Sequence, residues 1–350
     1  MAFSQGNSFI GGTEWFGLAG IGNTVNNAAA VPQYIFMAFQ MMFAVITPAL
    51  IAGAIVGRMK FKPYVLFVAL WSMLVYVPIA HWVWGPGGWL GALGALDFAG
   101  GTVVHMNAGF AALVAAMILG PRVMKKNEIP EPPHNVPLVV LGASLLWFGW
   151  YGFNAGSAIA AGELASLAFV TTTLATSACI ITWTILNWLR GNPSSAVSKS
   201  TAAVVGLVAI TPAAGFVTPM GSIAVGCIAA IVCYTAIIHR RKWLRFVDDT
   251  LDVFICHGLG GLTGALLTGV FATKAVNPAG NDGLLYGNPS LLWNQLIAVG
   301  ATIAMSVIGT AVILFVLKIF MNLRPTLAEM QQGIDFAEHG ESAYGDQVEK

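Results

Sequence analysis

The sequence predicts an all-α protein that crosses a membrane several times. Of its 350 residues, 57% are hydrophobic and only 9% are charged, and the mean hydropathy is +0.76. A soluble domain of this length cannot bury so much apolar surface. The apolar runs are continuous rather than alternating, which favours helices over the strands of a membrane barrel, because a helix satisfies its own backbone hydrogen bonds.

Nine segments have the composition of a membrane-spanning helix, which needs roughly 20 apolar residues. Each lacks Asp, Glu, Lys and Arg, except that one contains Asp252. In chain order the predicted spans are 34–57, 63–84, 99–120, 137–160, 164–189, 201–220, 221–238, 250–272 and 291–317. We expect about nine transmembrane helices in a domain over 34–319, between a loop over 1–33 and a tail over 320–350.

The basic residues indicate the orientation in the membrane. Fifteen of the 16 Lys and Arg fall on alternate loops or on the tail, and only Lys274 lies on the other side. The fifteen are Arg58, Lys60, Lys62, Arg122, Lys125, Lys126, Arg190, Lys199, Arg240, Arg241, Lys242, Arg245, Lys318, Arg324 and Lys350. The positive-inside rule then predicts a multi-pass protein of the cell membrane, with residues 1–33 outside and the C-terminus cytoplasmic.

Charge and cysteine content exclude some classes of partner. The net charge is +1, and topology accounts for the basic clusters, so we expect no nucleic-acid partner. The four cysteines all fall within predicted spans, without metal-type spacing, and are typical of small buried apolar residues. We expect no metal and no cofactor.

Two histidines lie inside predicted spans, His105 and His257. An ionisable side chain at this depth is costly, which makes each a candidate functional residue. Both are surrounded by glycine and alanine, which let helices approach closely, so the two imidazoles are able to meet. The alternatives are two unrelated core histidines, each bonded to a carbonyl or hydroxyl, and a metal site, which lacks a third ligand.

Acidic residues stand at the starts of the same two helices. Asp97 immediately precedes one helix start, where its carboxylate is able to cap the first turn or to act directly as a charge; the two roles are compatible. Three further acids lie near the cytoplasmic end of the other helix, where we expect capping and pairing with Arg240, Arg241 or Arg245. These acids are Asp248, Asp249 and Asp252.

Aromatic residues recur near the outer face: Phe39, Phe43, Trp84, Trp150 and Phe153. One interpretation is anchoring in the headgroup region, where Trp and Tyr are enriched. The other is an aromatic cage, because aromatic faces attract a desolvated cation by roughly 0.5 to 2 kcal/mol.

Several blocks of sequence resemble the ammonium transporter (Amt/Mep/Rh) family of bacterial and archaeal type. They are "AFQMMFAVITPALIAGAI", "PIAHWVWGPGG", "GALDFAGGTVVHMNAG", "GWYGFNAGSA", "GLVAITPAAGFV" and "VDDTLDVFICHGLGGLTG", followed by "GIDFAEHGESAY" in the tail. The resemblance implies a homotrimer in which each subunit has its own narrow pore, built from two inverted five-helix halves and a last long helix. It also implies a transporter rather than an enzyme, with a PII-type regulatory protein docking on the cytoplasmic face.

The resemblance also assigns roles at the outer mouth. Trp84 and Ser157 match the site that recruits ammonium, completed by Phe39 or Phe43. Phe43 and Phe153 match a phenyl gate beneath it.

Deeper in the membrane, His105 and His257 match the twin histidines of the pore, and Asp97 matches the acid that organises the outer site. Trp150, Thr211 and Asp252 are expected to support these groups. The implied function is ammonium transport, in which ammonium is deprotonated and ammonia crosses, with or without a relayed proton.

Two further hypotheses stay open at this stage. One is an ammonium sensor or transceptor that signals through a partner, and the other is an inactive truncated remnant. The resemblance begins in the loop after the second of the family's eleven helices, which leaves the first two out of this chain. A mis-assigned start codon or truncated gene model is the explanation we favour over a natural nine-helix transporter.

Overall fold

Helices dominate the computed structural model, which describes residues 1–25, 31–122, 133–193, 195–244 and 247–343. The α-helices are α1 (Gln33–Ile55), α2 (Phe61–Trp71), α3 (Val77–Trp84), α4 (Trp89–Leu93), α5 (Asn107–Leu119), α6 (Val136–Asn154), α7 (Glu163–Leu189), α8 (Ala196–Ile210), α9 (Pro219–Trp243), α10 (Gly260–Phe271), α11 (Pro289–Phe320), α12 (Leu327–Gln332) and α13 (Ile334–His339). Four basic residues used in the orientation argument lie outside the described residues: Lys125, Lys126, Arg245 and Lys350.

Three π-helical turns extend these helices. Ser72–Tyr76 joins α2 to α3, Gly101–Met106 leads into α5, and Phe254–Leu259 leads into α10. The last two contain His105 and His257, and we call them the first and second histidine turns. Such turns are rare and recur at functional sites.

Within the described residues, eight helical stretches are long and apolar enough to cross a membrane, and each coincides with a predicted span. The ninth predicted span, 201–220, has no helix of that length, because α8 has 15 residues and ends at Ile210. Pro212 explains the early end, since proline has no N–H and its ring crowds the carbonyl one turn earlier. Residues 211–216 form turns before Pro219 starts α9. The all-α polytopic class is confirmed, and the extent of this one span is corrected.

The histidine turns lie where the two halves of the chain interlock. Helix α5 packs against α1, α11 and the second histidine turn, whereas α10 packs against α8, α11 and the first histidine turn. In the second half, α7 packs along α8 and α9. The segment Gly101–Leu119 is the most buried of the eight spanning stretches, and Val136–Ala158, which contains α6, is the least buried.

The bundle has two ends, which we name by what lies there. The loop end carries residues 1–25, and the ring nitrogens of His81 lie 2.8 Å from the carbonyl oxygens of Ala2 and Asn7 in this segment. The tail end carries α12 and α13. There Lys60 pairs with Glu329 at 3.1 Å, so the tail folds back onto the loop between α1 and α2.

Candidate functional site

The two histidines meet inside the bundle. Nδ1 of His105 lies 3.2 Å from Nδ1 of His257. Both residues are buried, His105 at 1% and His257 at 8% exposure. A hydrogen bond between two Nδ1 atoms needs a proton on one of them, so the two rings are opposite tautomers. The remaining Nε2 atoms are then one acceptor and one donor. The alternative of two unrelated core histidines does not hold.

Glycines allow this approach. A Cβ atom placed on Gly109 would overlap the backbone of Gly258, and one placed on Gly261 would lie 2.8 Å from the carbonyl oxygen of Gly101. Close backbone contact of this kind is how small residues bring membrane helices together. The predicted use of the glycines beside both histidines is confirmed.

Asp97 caps the first histidine turn. Its two carboxylate oxygens accept hydrogen bonds from the N–H groups of Gly100, Gly101, Thr102 and Val103, at 2.7 to 3.0 Å. Four donors occupy the lone pairs of the carboxylate, so the cap role is the one the geometry supports. The carbonyl of Asp97 accepts a hydrogen bond from the Trp84 indole at 2.8 Å, which fixes that ring beside the cap.

Asp249 caps the second histidine turn in the same way. Its carboxylate accepts hydrogen bonds from the N–H groups of Val253 at 3.0 Å and Phe254 at 2.7 Å. The signal for this residue was present in the sequence, because Asp97 precedes His105 by eight positions and Asp249 precedes His257 by the same number. Sequence reasoning treated Asp249 only as one of three neighbouring acids.

The other two acids have different partners. Asp252 pairs with Arg240 at 3.3 Å, as expected, and lies at the tail end of the bundle away from the histidine pair. Asp248 pairs with Arg122 at 2.8 Å, and it also lies 3.9 Å from Arg58. The partners that the structure describes for Asp248 therefore come from the first half of the chain, whereas Arg245, one of the expected partners, lies outside the described residues.

The aromatic side chains form one cluster at the loop end. The ring of Phe43 lies 4.5 Å from Phe153, 4.9 Å from Phe39 and 5.6 Å from Trp84, measured between centroids. Phe43 is therefore central and almost completely buried. The Ser157 hydroxyl donates to the carbonyl of Phe153 at 2.8 Å, one turn beyond that ring.

Trp150 and Phe153 connect the cluster to the histidines. His105 stacks on Trp150 at 5.0 Å and on Phe153 at 5.5 Å. The Trp150 indole donates to the hydroxyl of Thr211 at 2.9 Å, and Thr211 in turn donates to the carbonyl of Leu207. Thr211 thus sets the orientation of a ring that lies against His105.

Both histidines line a cavity of about 380 Å³. Ile46 and Leu50 of α1 and Val204 of α8 contribute apolar walls, together with the face of α6 that carries Trp150. Nε2 of His105 is buried and has no hydrogen-bond partner. Within the part of the chain that the structure describes, no group of three or more His, Cys, Asp or Glu side chains is placed to hold a metal. The cavity therefore has two imidazole side chains in otherwise apolar walls.

A model of the Ammonium Transporter Family matches residues 1–344. The chain belongs to the ammonium transporter family. It is 47% identical over 349 residues to an ammonium transporter of Bacillus subtilis, covering 99% of this chain and 85% of that protein. It is 51% identical over 320 residues to an ammonium transporter of Aquifex aeolicus, covering 91% and 74%.

Solved structures agree with the family. Mep2 of Saccharomyces cerevisiae superimposes with a TM-score of 0.87 at 36% identity, over 94% of this chain and 77% of that one. A protein described as a sensor Amt protein superimposes with a TM-score of 0.81 at 34% identity, over 95% and 84%. The fold of the ammonium transporter family therefore extends over nearly the whole chain.

Proposed function

We propose that this chain transports ammonium across the cell membrane, from the loop end to the tail end of the bundle. The observation that carries the proposal is the imidazole pair, with a buried and unpartnered Nε2 on His105, beside an apolar cavity that shares Phe153 with the aromatic cluster. Membership of the ammonium transporter family supports the substrate. The basic residues of the loops support a cytoplasmic tail end.

Recruitment occurs at the aromatic cluster in this proposal. Phe43 and Trp84 offer ring faces to a cation, and Ser157 offers a hydroxyl oxygen near Phe153. Asp97 acts through the first histidine turn, because its oxygens are occupied by four N–H groups. The cluster thus concentrates ammonium without placing a fixed negative charge in its path.

Passage requires loss of a proton. An ion pays a large desolvation cost in an apolar cavity, and low polarity favours the neutral form of a titrating group. Phe43 and Phe153, 4.5 Å apart, close the direct path. Ammonia then reaches His105 as the neutral species.

The histidine pair is suited to ammonia because it presents one donor and one acceptor. Ammonia both accepts and donates hydrogen bonds, so it matches the two Nε2 atoms of opposite tautomers. A proton that arrives at one Nε2 leaves from the other after the shared proton shifts between the Nδ1 atoms. One such transfer moves a proton without moving either ring and leaves the two tautomers exchanged, so the original tautomers are restored before the next proton passes in the same direction. Hydrated alkali ions have no proton to lose and find few oxygens here.

The assembly and regulation expected from the resemblance remain part of the proposal. We propose a homotrimer with one pore per subunit and a PII-type protein on the cytoplasmic face, next to α12 and α13. A sensor role is the second candidate, favoured by the structural similarity to the sensor Amt protein. The two differ in whether ammonium crosses the bilayer.

Uptake by a strain that lacks its own ammonium transporters tests the proposal. We expect the chain to restore growth on low ammonium, and His105→Ala to reduce selective uptake at least tenfold. His239→Ala is the matched control, because the hydrogen bond that the structure describes for His239 lies within its own helix, to the Thr235 carbonyl at 2.9 Å. Undiminished and still selective uptake by His105→Ala would contradict the relay. Binding of ammonium without uptake would favour the sensor.

A further inference from the structure

Arg58 is a completely buried arginine at the tail end of the bundle. It follows α1, and its guanidinium donates to the carbonyls of Ala54, Gly120 and Asp248, and to the Thr250 hydroxyl at 3.4 Å. A buried charge is costly unless it is paired and hydrogen-bonded. Here the donors reach three segments that are far apart in sequence.

One of these segments, residues 248–252, is held from both sides. Arg122 donates to the carboxylate of Asp248 through its backbone N–H, Nε and Nη2, each at 2.8 Å. Burial raises the pKa of Asp248, but the hydrogen bonds from Arg122 and the charge of Arg58 outweigh it and keep the pKa below its usual value. Asp248 is therefore an ionised carboxylate between two arginines of the first half.

The same segment starts the helix that carries His257. Asp249 caps the second histidine turn through Val253 and Phe254. Asp252 has φ of +55°, in the left-handed region, which aspartate adopts more readily than most other non-glycine residues. The start of the second histidine turn is thus an irregular segment, and the hydrogen bonds of Arg58 and Arg122 to Asp248 fix its position.

We propose that Arg58 is a positioning residue for His257. By fixing Asp248 and Thr250, it holds Asp249 where it caps the turn, and so keeps His257 within bonding distance of His105. Arg58 does this across the two halves of the chain, because α1 and the end of α5 carry the other groups it binds. The effect on transport rests on the proposed function, whereas the effect on the histidine pair does not.

A lysine does not substitute for this arginine. The guanidinium has donors spread over a planar fork, whereas an ammonium group is a point charge on a flexible stem. Arg58→Lys therefore keeps the charge and loses the simultaneous bonds to three segments. Arg190→Lys is the matched control, because Arg190 is exposed at the end of α7.

The first measurement is the histidine pair itself. In the full chain labelled with ¹⁵N-histidine, the coupling between the Nδ1 atoms of His105 and His257 reports the hydrogen bond, with His105→Ala and His257→Ala giving the assignment. We expect the coupling in the unchanged protein and in Arg190→Lys. We expect it to be lost in Arg58→Lys while the melting temperature in detergent stays within a few degrees.

The second measurement is methylammonium uptake into proteoliposomes, per folded chain. We expect Arg58→Lys to reduce the maximal rate at least tenfold while KM changes less than twofold, because the outer site is distant. Asp249→Asn should reduce the rate too, and the double variant Arg58→Lys/Asp249→Asn should transport no more slowly than the slower of the two single variants.

A coupling and a rate in Arg58→Lys equal to those of the Arg190→Lys control would overturn the inference. Absence of uptake by the unchanged protein would count against the proposed function. In that case the coupling between the Nδ1 atoms would still show whether Arg58 positions His257.

Discussion

Some functional residues are identifiable from the sequence alone, and others are not. His105 and His257 were identifiable because ionisable groups inside apolar spans are costly, and Asp97 because it precedes a helix start. The partners of Asp248 were not identifiable, since Arg122 is 126 positions away and only the packing of the two halves brings them together. The cost of burying an ionisable group is visible in the sequence, whereas the pairing of Asp248 with Arg122 depends on the packing of the two halves.

Thr211 provides a prediction at the same scale. Thr211→Val removes the acceptor of the Trp150 indole, and a buried N–H left without a partner costs about 1–3 kcal/mol. Because Trp150 stacks on His105, we also expect lower uptake. Melting temperature and uptake rate measure the two effects.

Thr211→Ser is the control for that substitution, because it keeps the hydroxyl and loses only a methyl group. It should restore most of the stability and the rate. Equal behaviour of the serine and valine variants would show that shape rather than the hydrogen bond matters at this position.

The sequence predicts where the helices lie, but not where each one ends or which of them contain π-helical turns. Hydropathy located all nine apolar segments, because each is a continuous apolar run that lacks Asp, Glu, Lys and Arg, apart from Asp252 in one of them. It did not show that α8 ends at Ile210, nor that both histidine helices begin with a π-helical turn. These features depend on Pro212 and on the carboxylate caps, and composition alone does not record which backbone N–H groups a carboxylate binds.

Close helix approach gives a prediction for the histidine elements. Gly109→Ala places a methyl group against the backbone of Gly258, where neither side is a flexible side chain. Overpacking of this kind typically costs about 1–3 kcal/mol. It also separates the two histidine turns, so we expect both a lower melting temperature and a lower uptake rate.

Gly300→Ala tests whether any added methyl group has this effect. Gly300 lies within α11, and a Cβ atom there meets nothing within 4 Å. Alanine is the better helix former by roughly 1 kcal/mol in an exposed helix interior, so this variant should melt at the same or a higher temperature. A loss equal to that of Gly109→Ala would argue against the close approach as the cause.

For the whole molecule, the distribution of basic residues predicts the orientation in the membrane, and the packing of the two halves forms the histidine pair. The sequence assigns fifteen of the 16 basic residues to alternate loops or the tail, and one of them, Lys60, lies where the tail folds onto the loop after α1. Neither half alone forms the site, because each supplies one histidine. The sequence therefore predicts the layout in the membrane and that the two histidines are able to meet, and the folded chain adds the distance and the atoms that join them.

Orientation is testable with single cysteines introduced at the two ends. Lys274 and Glu341 are exposed at the loop end and in the tail, whereas the four native cysteines are buried or partly buried and are replaced by alanine first. In intact cells a membrane-impermeant maleimide should label Lys274→Cys, and should label Glu341→Cys only after permeabilisation. Removing Lys274 takes away the one basic residue on the outer side, so the substitution reinforces the positive-inside bias rather than opposing it. The reverse labelling pattern would place the aromatic cluster in the cytoplasm and contradict uptake from the loop end.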